Sequence, residues 1–546
     1  MDRSRDRRMR ARPFLAVVLV IILAALGLGL GGWWLVWQRS PLQLQHQALT
    51  LPRAARFVPR QAPLGLYFLT DGEQPVGYAR AVAPPRQRHG AADAIERLRD
   101  GAFAAAGLDY RNELSTWLAP DIGLALLEIG SPEAPVQGWL LALSSRDDEG
   151  ARRFLQRFWQ TRSLAGTDLQ VSSYRGMGLI SGRGALLGQE PVPLATALVD
   201  DDLVLIASGR GVLEQALDVS QIDELNQASL PRLQGAVDRL GSGAALMVAR
   251  TPALATWLGL PLPAAASDRP TLLLAALRPQ GRELILEGLV DLPALADPLP
   301  VSSAAAGESP AAALLAAAGN QSPNRLALLQ QPAALARVPL LQPLLATLTA
   351  AGPAAGPLPP LLAGAAEGPL LAMEGPEGWL IGTPAADPSP EQITAPLAAQ
   401  GLVPAPLTLH GRPLLAWTRL QAGSGRASEE LQVSLAGWRS EEEVQGQAWA
   451  WWGRSPALLD GIGGAHGSRA LRARQAQLRE LDLEQAPLQW ALASDGARGL
   501  LQPWQPWRLL AALAGGSFND AVQGLALAVE PEADHSLHWR IRLELG

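Results

Sequence analysis

The sequence has no cysteine and no lysine. Without cysteine there can be no disulfide, no thiolate nucleophile and no thiolate-held iron–sulfur cluster. All 45 basic residues are Arg, which removes Schiff-base chemistry and the lysine of a P-loop. Charge is sparse too, at 18% of 546 residues, while 48% are hydrophobic, mostly Ala and Leu. The 54 Gly and 45 Pro predict many turns and few long uninterrupted elements. At 57.7 kDa the chain is long for one core, so two or three domains are expected.

Motifs for known chemistries are equally scarce. Of the six histidines only His535 and His538 have a metal-like spacing, and on a strand residues three apart face opposite ways. The acidic clusters Asp147–Glu149, Asp200–Asp202 and Glu441–Glu443 read as solvated turns, and no calcium-hand loop is present. Gly176-Met-Gly178 followed by Ser181-Gly-Arg-Gly184 lacks the order and the lysine of a phosphate loop. No nucleophile elbow G-x-S-x-G occurs. These absences predict no catalytic residue, no metal ligand and no cofactor. Residues 1–12 carry six Arg against Asp2 and Asp6, which leaves −10 on the remainder and no general attraction to nucleic acid.

One segment speaks plainly. Pro13 to Trp37 reads PFLAVVLVIILAALGLGLGGWWLVW, 25 residues without a charge, long enough to cross a bilayer as a helix. Arg3, Arg5, Arg7, Arg8, Arg10 and Arg12 precede it, and only Arg39 lies close on the other side. The positive-inside rule predicts a cytoplasmic tail over 1–12 and the body on the far side. Trp33, Trp34 and Trp37 stand at the exit end, where indole rings favour the headgroup level. Residues 13–37 therefore predict a lipid-bilayer partner.

Beyond a tether over 38–60, two similar series of signals recur about 240 residues apart. Asp121–Leu127 with Gly138–Leu143, and Glu367–Met373 with Gly378–Thr383, read as hairpins. Each is followed by a helix signal, Asp147–Trp159 and Pro388–Ala399, the second with Ser389 placed as a cap. Leu203–Arg210 parallels Ala448–Arg454, and each series closes on a hairpin, Thr271–Val290 and Gly524–Leu545. The last strand alternates Leu537, Trp539, Ile541, Leu543 and Leu545 with His538, Arg540, Arg542 and Glu544. The expected architecture is α+β: a transmembrane helix over 13–37, then two related units of antiparallel sheet with packed helices at 61–290 and 323–546, joined by a linker over 291–322.

Tryptophan is over-used, 17 against four Tyr and seven Phe. Trp449, Trp451 and Trp452 in one strand, with Trp504 and Trp507 beyond, fit either core filling or an exposed aromatic groove for a protein, lipid or pigment partner.

The order of these signals resembles a family of uncharacterised membrane-anchored cyanobacterial proteins, domain of unknown function 3352. The likeness rests on the anchor, on Leu51-Pro with Ala55-Arg-Phe-Val-Pro59, and on Leu203–Arg210 leading into a helix from Val212. It implies a plasma or thylakoid membrane with the body in periplasm or lumen, and brings no catalytic residue. A non-enzymatic scaffold, assembly or binding protein is the expected function; the alternative is a membrane-anchored hydrolase whose active site is scattered along the chain.

Overall fold

The computed structural model describes residues 40–129, 136–163, 169–184, 192–258, 271–291, 310–338, 341–349, 356–422, 431–444, 446–464, 467–483, 486–515, 517–532 and 536–546. The expected span 13–37 lies outside them, with Arg3, Arg5, Arg7, Arg8, Arg10, Arg12, Trp33, Trp34 and Trp37. Among the described residues no helix is long and apolar enough to cross a membrane.

Among the described residues twenty strands form one antiparallel sheet. The first ten are β1 Leu64–Phe68, β2 Leu118–Ile129, β3 Val136–Ser145, β4 Gln170–Tyr174, β5 Met177–Gly184, β6 Val192–Val199, β7 Leu203–Ala207, β8 Ala245–Arg250, β9 Leu272–Gln280 and β10 Glu283–Asp291. They lie in the order 4-5-6-7-3-2-1-8-9-10. The second ten are β11 Arg325–Leu329, β12 Leu370–Gly375, β13 Gly378–Pro384, β14 Val403–Leu409, β15 Arg412–Ala422, β16 Leu431–Val444, β17 Gln447–Gly453, β18 Leu488–Ala493, β19 Val522–Glu532 and β20 Ser536–Leu545. Their order is 14-15-16-17-13-12-11-18-19-20. The two tens meet where β10 pairs with β20, Glu287 opposite Arg540.

Helices cover both faces. On one face α4 Arg210–Ser220 and α5 Pro231–Leu240 bury Val212, Leu213 and Leu233 against the first ten strands, and α7 Pro310–Ala317 and α12 Arg469–Arg479 bury Leu314, Leu471 and Leu478 against the second ten. We call this the inner face. On the opposite, outer face, α3 Asp148–Ser163 packs Phe154 and Phe158 over β3 and β7. Over the second ten strands the outer face carries α9 Gln342–Thr349, α10 Leu358–Ala365, α11 Pro390–Ala398 and α14 Gln505–Ala514, which bury Leu345, Leu362, Ile393 and Trp507. Three further helices, α1 Gln74–Val82, α2 Arg88–Ala105 and α6 Thr251–Leu258, complete the outer layer of the first ten; α8 Pro332–Ala336 and α13 Ser494–Leu501 belong to the second.

Local chemistry explains several boundaries. The β6–β7 turn places Asp200 and Asp201 at φ 48° and 61°, a conformation that Asp tolerates better than most residues. Ser389 and Gln392 form a reciprocal capping box at the start of α11. Glu441–Glu443, expected in a turn, instead lie within β16 opposite Ala450, Trp449 and Ala448. The reversal falls at Gly446, whose φ of 77° suits glycine rather than glutamate. Residues 40–60, read from the sequence as a tether, belong to the fold: 3-10 turns occupy Pro41–His46 and Arg53–Phe57, and Ala54, Ala55, Phe57 and Val58 are buried.

Candidate functional site

The two faces of the central strands differ in kind. On the inner face β9, β10, β19 and β20 present Arg278, Glu287, Glu530, His538, Arg540 and Arg542. His538 Nδ1 lies 2.9 Å from Glu530 and Nε2 2.9 Å from Glu287, while Arg540 Nη2 donates to the same Glu287 oxygen at 2.8 Å. Two carboxylates can both accept from one imidazole only if it is protonated. Its hydrogen bond to Glu287 accordingly raises the pKa of His538. Burial alone would push the Glu287 carboxyl up, but the bonds from His538 and Arg540 prevail and hold it at about 2. Arg542 forks onto Glu283 and also reaches Glu480, the C-cap of α12. With both ring nitrogens engaged, His538 is set to join strands rather than to take a proton from a hydroxyl. Among the described residues no group of three or more His, Asp or Glu is arranged to hold a metal.

The outer face of the same strands is apolar. Strand register aligns one row across seven strands: Ile122, Phe68, Ala245, Leu277, Leu286, Ile541 and Leu527. Its ends, Ile122 and Leu527, are buried in the cores beneath α3 and α14. Between them Phe68 is 45% exposed, and Ala245, Leu277, Leu286 and Ile541 are half-buried. The next row is apolar too, with Leu66, Met247 and Trp539 half-buried and Ala275 and Gly288 buried, the Trp539 ring lying over Gly288. At one strand spacing of about 4.8 Å, Phe68 to Ile541 makes a floor about 19 Å long.

Two helices bridge this floor. At its C-terminal end α2 sets Phe103 against the α3 core, and its middle meets α14, where Arg97 donates to the Ala514 carbonyl and Gly101 abuts Leu513. Only Ala92 of its 18 residues is buried. α1 closes one flank, with Tyr78 donating to the Gly281 carbonyl in the β9–β10 turn. The result is a half-open apolar strip across the junction of the two sets of strands, flanked by these helices, which we call the groove.

The aromatic surface considered from the sequence does not form. Trp449, Trp451, Trp452 and Trp507 are buried, and Trp504 is half-buried against the same core as Trp507. Their rings fill space beside small neighbours: Trp452 stacks on Trp417 at 5.6 Å and donates to Thr383, and Trp451 lies against Gly382. The groove residues carry no recognisable motif. The available signal was the polar composition of α2 beside an apolar sheet face.

The sequence pattern of the family described as "Protein of unknown function (DUF3352)" matches residues 17–545. The chain belongs to that family. No curated protein matches it. Among solved structures, crystal form I of TP0453 is similar over 44% of this chain and 78% of that one, at 12% identity and a TM-score of 0.25. A likeness at that score bears on neither mechanism nor ligand. Within this DUF3352 chain, the groove and the ion-paired junction are the two features that a function must explain.

Proposed function

We propose that this protein is a membrane-anchored, non-enzymatic binding protein of the cell envelope or thylakoid, and that its groove takes the hydrocarbon chain of a lipid. The observation that carries the reading is the apolar row Phe68, Ala245, Leu277, Leu286 and Ile541, left half-open at the centre of the sheet between two buried cores. An apolar strip of that length, bridged but not filled by helices, offers an extended alkyl chain contact along its whole course.

The anchor is the uncharged run 13–37, with its basic N-terminal flank predicting a body in the periplasm or lumen. Beyond it the body is two related units. The shared strand order supports this, as does the junction register. Glu283 faces Gln280 in one closing hairpin and Ser536 faces Glu532 in the other, so Glu287 and Arg540 occupy equivalent positions. They also face each other across β10 and β20, as expected at a local two-fold axis.

The test uses the full chain in lipid nanodiscs with a diazirine-bearing palmitic acid, followed by peptide mapping. Adducts are expected on peptides containing Phe68, Leu277 and Leu286. Leu286→Asp, which sets a charge in the floor, should cut that labelling at least about tenfold, because stranding a carboxylate against an alkyl chain costs more than the ~1.4 kcal/mol of one decade. Labelling confined to residues 13–37, or unchanged in Leu286→Asp, overturns the reading.

A further inference from the structure

We infer that the corner formed by the 3-10 turn Pro41–His46, the end of α1 and the α1–α2 link docks onto anionic lipid headgroups of the membrane that anchors the chain. The inference rests on the anchor reading of 13–37. Between Trp37 and Pro41 stand three residues, so the two are at most about 14 Å apart. A headgroup layer is about 5–7 Å thick on each side of the hydrocarbon core. The chain is fixed to the body from Pro41 onward. Pro41 packs on Gly77, Gln45 donates to Tyr78 at 2.9 Å, and Gly243 N–H donates to the Gln47 carbonyl at 2.9 Å. An anchor whose exit tryptophan sits at the interface therefore keeps this corner within about 10 Å of the headgroups.

The charge of the corner suits that position. Residues 38–92 contain seven Arg against Asp71 and Glu73, a net +5, whereas 93–546 carry −15. Arg80 in the last turn of α1, Arg86 in the link and Arg88 opening α2 are exposed and form no ion pair among the described residues. Leu42, 41% exposed, projects from the adjoining turn. An acidic body with three unpaired Arg and an exposed Leu at its anchored corner is complementary to an anionic surface. The same corner adjoins the β9–β10 turn through Tyr78, so the groove opens beside the layer that supplies acyl chains.

The absence of native cysteine allows a clean probe. Gln87→Cys in the α1–α2 link and Val171→Cys on edge strand β4 are each labelled with an environment-sensitive fluorophore in the full chain. The chain is reconstituted into phosphatidylcholine vesicles with or without phosphatidylglycerol, and doxyl-lipid quenching is read at low and high salt. The Gln87 label should be quenched, more so with phosphatidylglycerol and less at high salt, while the Val171 label stays unquenched. Replacing Arg80, Arg86 and Arg88 by Gln should weaken the phosphatidylglycerol-dependent contact about fivefold per Arg. If the chain floats with the vesicles after carbonate washing but Gln87 is quenched no more than Val171, docking is overturned and the anchor stands. If the chain does not float, the anchor reading falls and the inference falls with it.

Discussion

Replacing Glu287 by Gln probes the junction at its centre. The carboxylate is 16% exposed and accepts from His538 and Arg540, themselves 17% and 16% exposed. Moving its pKa from an ordinary 4.5 to about 2 corresponds to about 3 kcal/mol of preferential interaction with the ionised form. Removing one partner from a buried charge pair costs a similar about 3–5 kcal/mol. The sign follows from the direction of each shift. Glu287, depressed in the folded chain, contributes above about pH 4.5 and loses its contribution as pH falls through about 2. His538, raised in the folded chain, contributes fully below its ordinary 6.5 and loses its contribution as pH rises through the folded value. The wild-type contribution is therefore a plateau between about pH 4.5 and 6.5, and Glu287→Gln should lower it by about 3 kcal/mol. Urea unfolding of the full chain in nanodiscs, followed by tryptophan fluorescence, measures this at about pH 6 and again near pH 2.5, where the gap should narrow. An equal deficit at both pH values refutes the assignment of the carboxylate's charge to the junction.

Other substitutions test packing. Gly288→Ala should destabilise by about 1–3 kcal/mol, because a Cβ there would clash with the Leu274 carbonyl and the Trp539 ring; urea midpoints would show it. Trp452→Ala should cost about 3–5 kcal/mol, since the fully buried ring stacks on Trp417 and donates to Thr383, and calorimetry would read the loss. Ser389→Ala removes one half of the capping box and should cost about 1 kcal/mol in the same urea assay, with Ser389→Asp restoring most of it.

The legible parts of the fold were those governed by local pattern. The hairpins at Asp121–Leu143 and Glu367–Thr383, the helix after Asp147, the cap at Ser389 and the wet–dry alternation of Leu537–Leu545 are written in period and turn chemistry, and each is present. Two features were not legible. The tryptophans of β17 could not be assigned to core or surface from spacing, because both faces of a central strand are apolar; Trp449 and Trp451 enter one core and Trp452 the other. Nor could the join of β10 to β20, since pairing across about 250 residues leaves no local trace. The groove is a product of that join. Its floor is assembled from β1, β8, β9, β10 and β20, and apart from the β9–β10 hairpin no two of them reveal from sequence alone that their apolar faces align.

Why the groove stays open is a question about its roof. Under the proposed equivalence of the two units, Phe68, Met247 and Leu277 correspond to Leu329, Trp490 and Val529, which are 0%, 3% and 4% exposed. The sheet face is equally apolar in both, so the floor does not account for the difference. The covering helices do. In the second unit α9 and α10 read QPLLATLT and LPPLLAGA, without one charged residue, and they sink Leu345, Leu348, Leu358 and Leu362 into the sheet. In the first unit α2 carries Arg88, Asp93, Glu96, Arg97, Arg99 and Asp100 along 18 residues. Lowering that helix onto the floor would strip solvent from its charges, several kcal/mol for each ion left without a partner. Fully burying each floor side chain would return only about 1.5–3 kcal/mol. The balance favours a bridging helix over a filled core, and an alkyl chain can complete the burial without that desolvation.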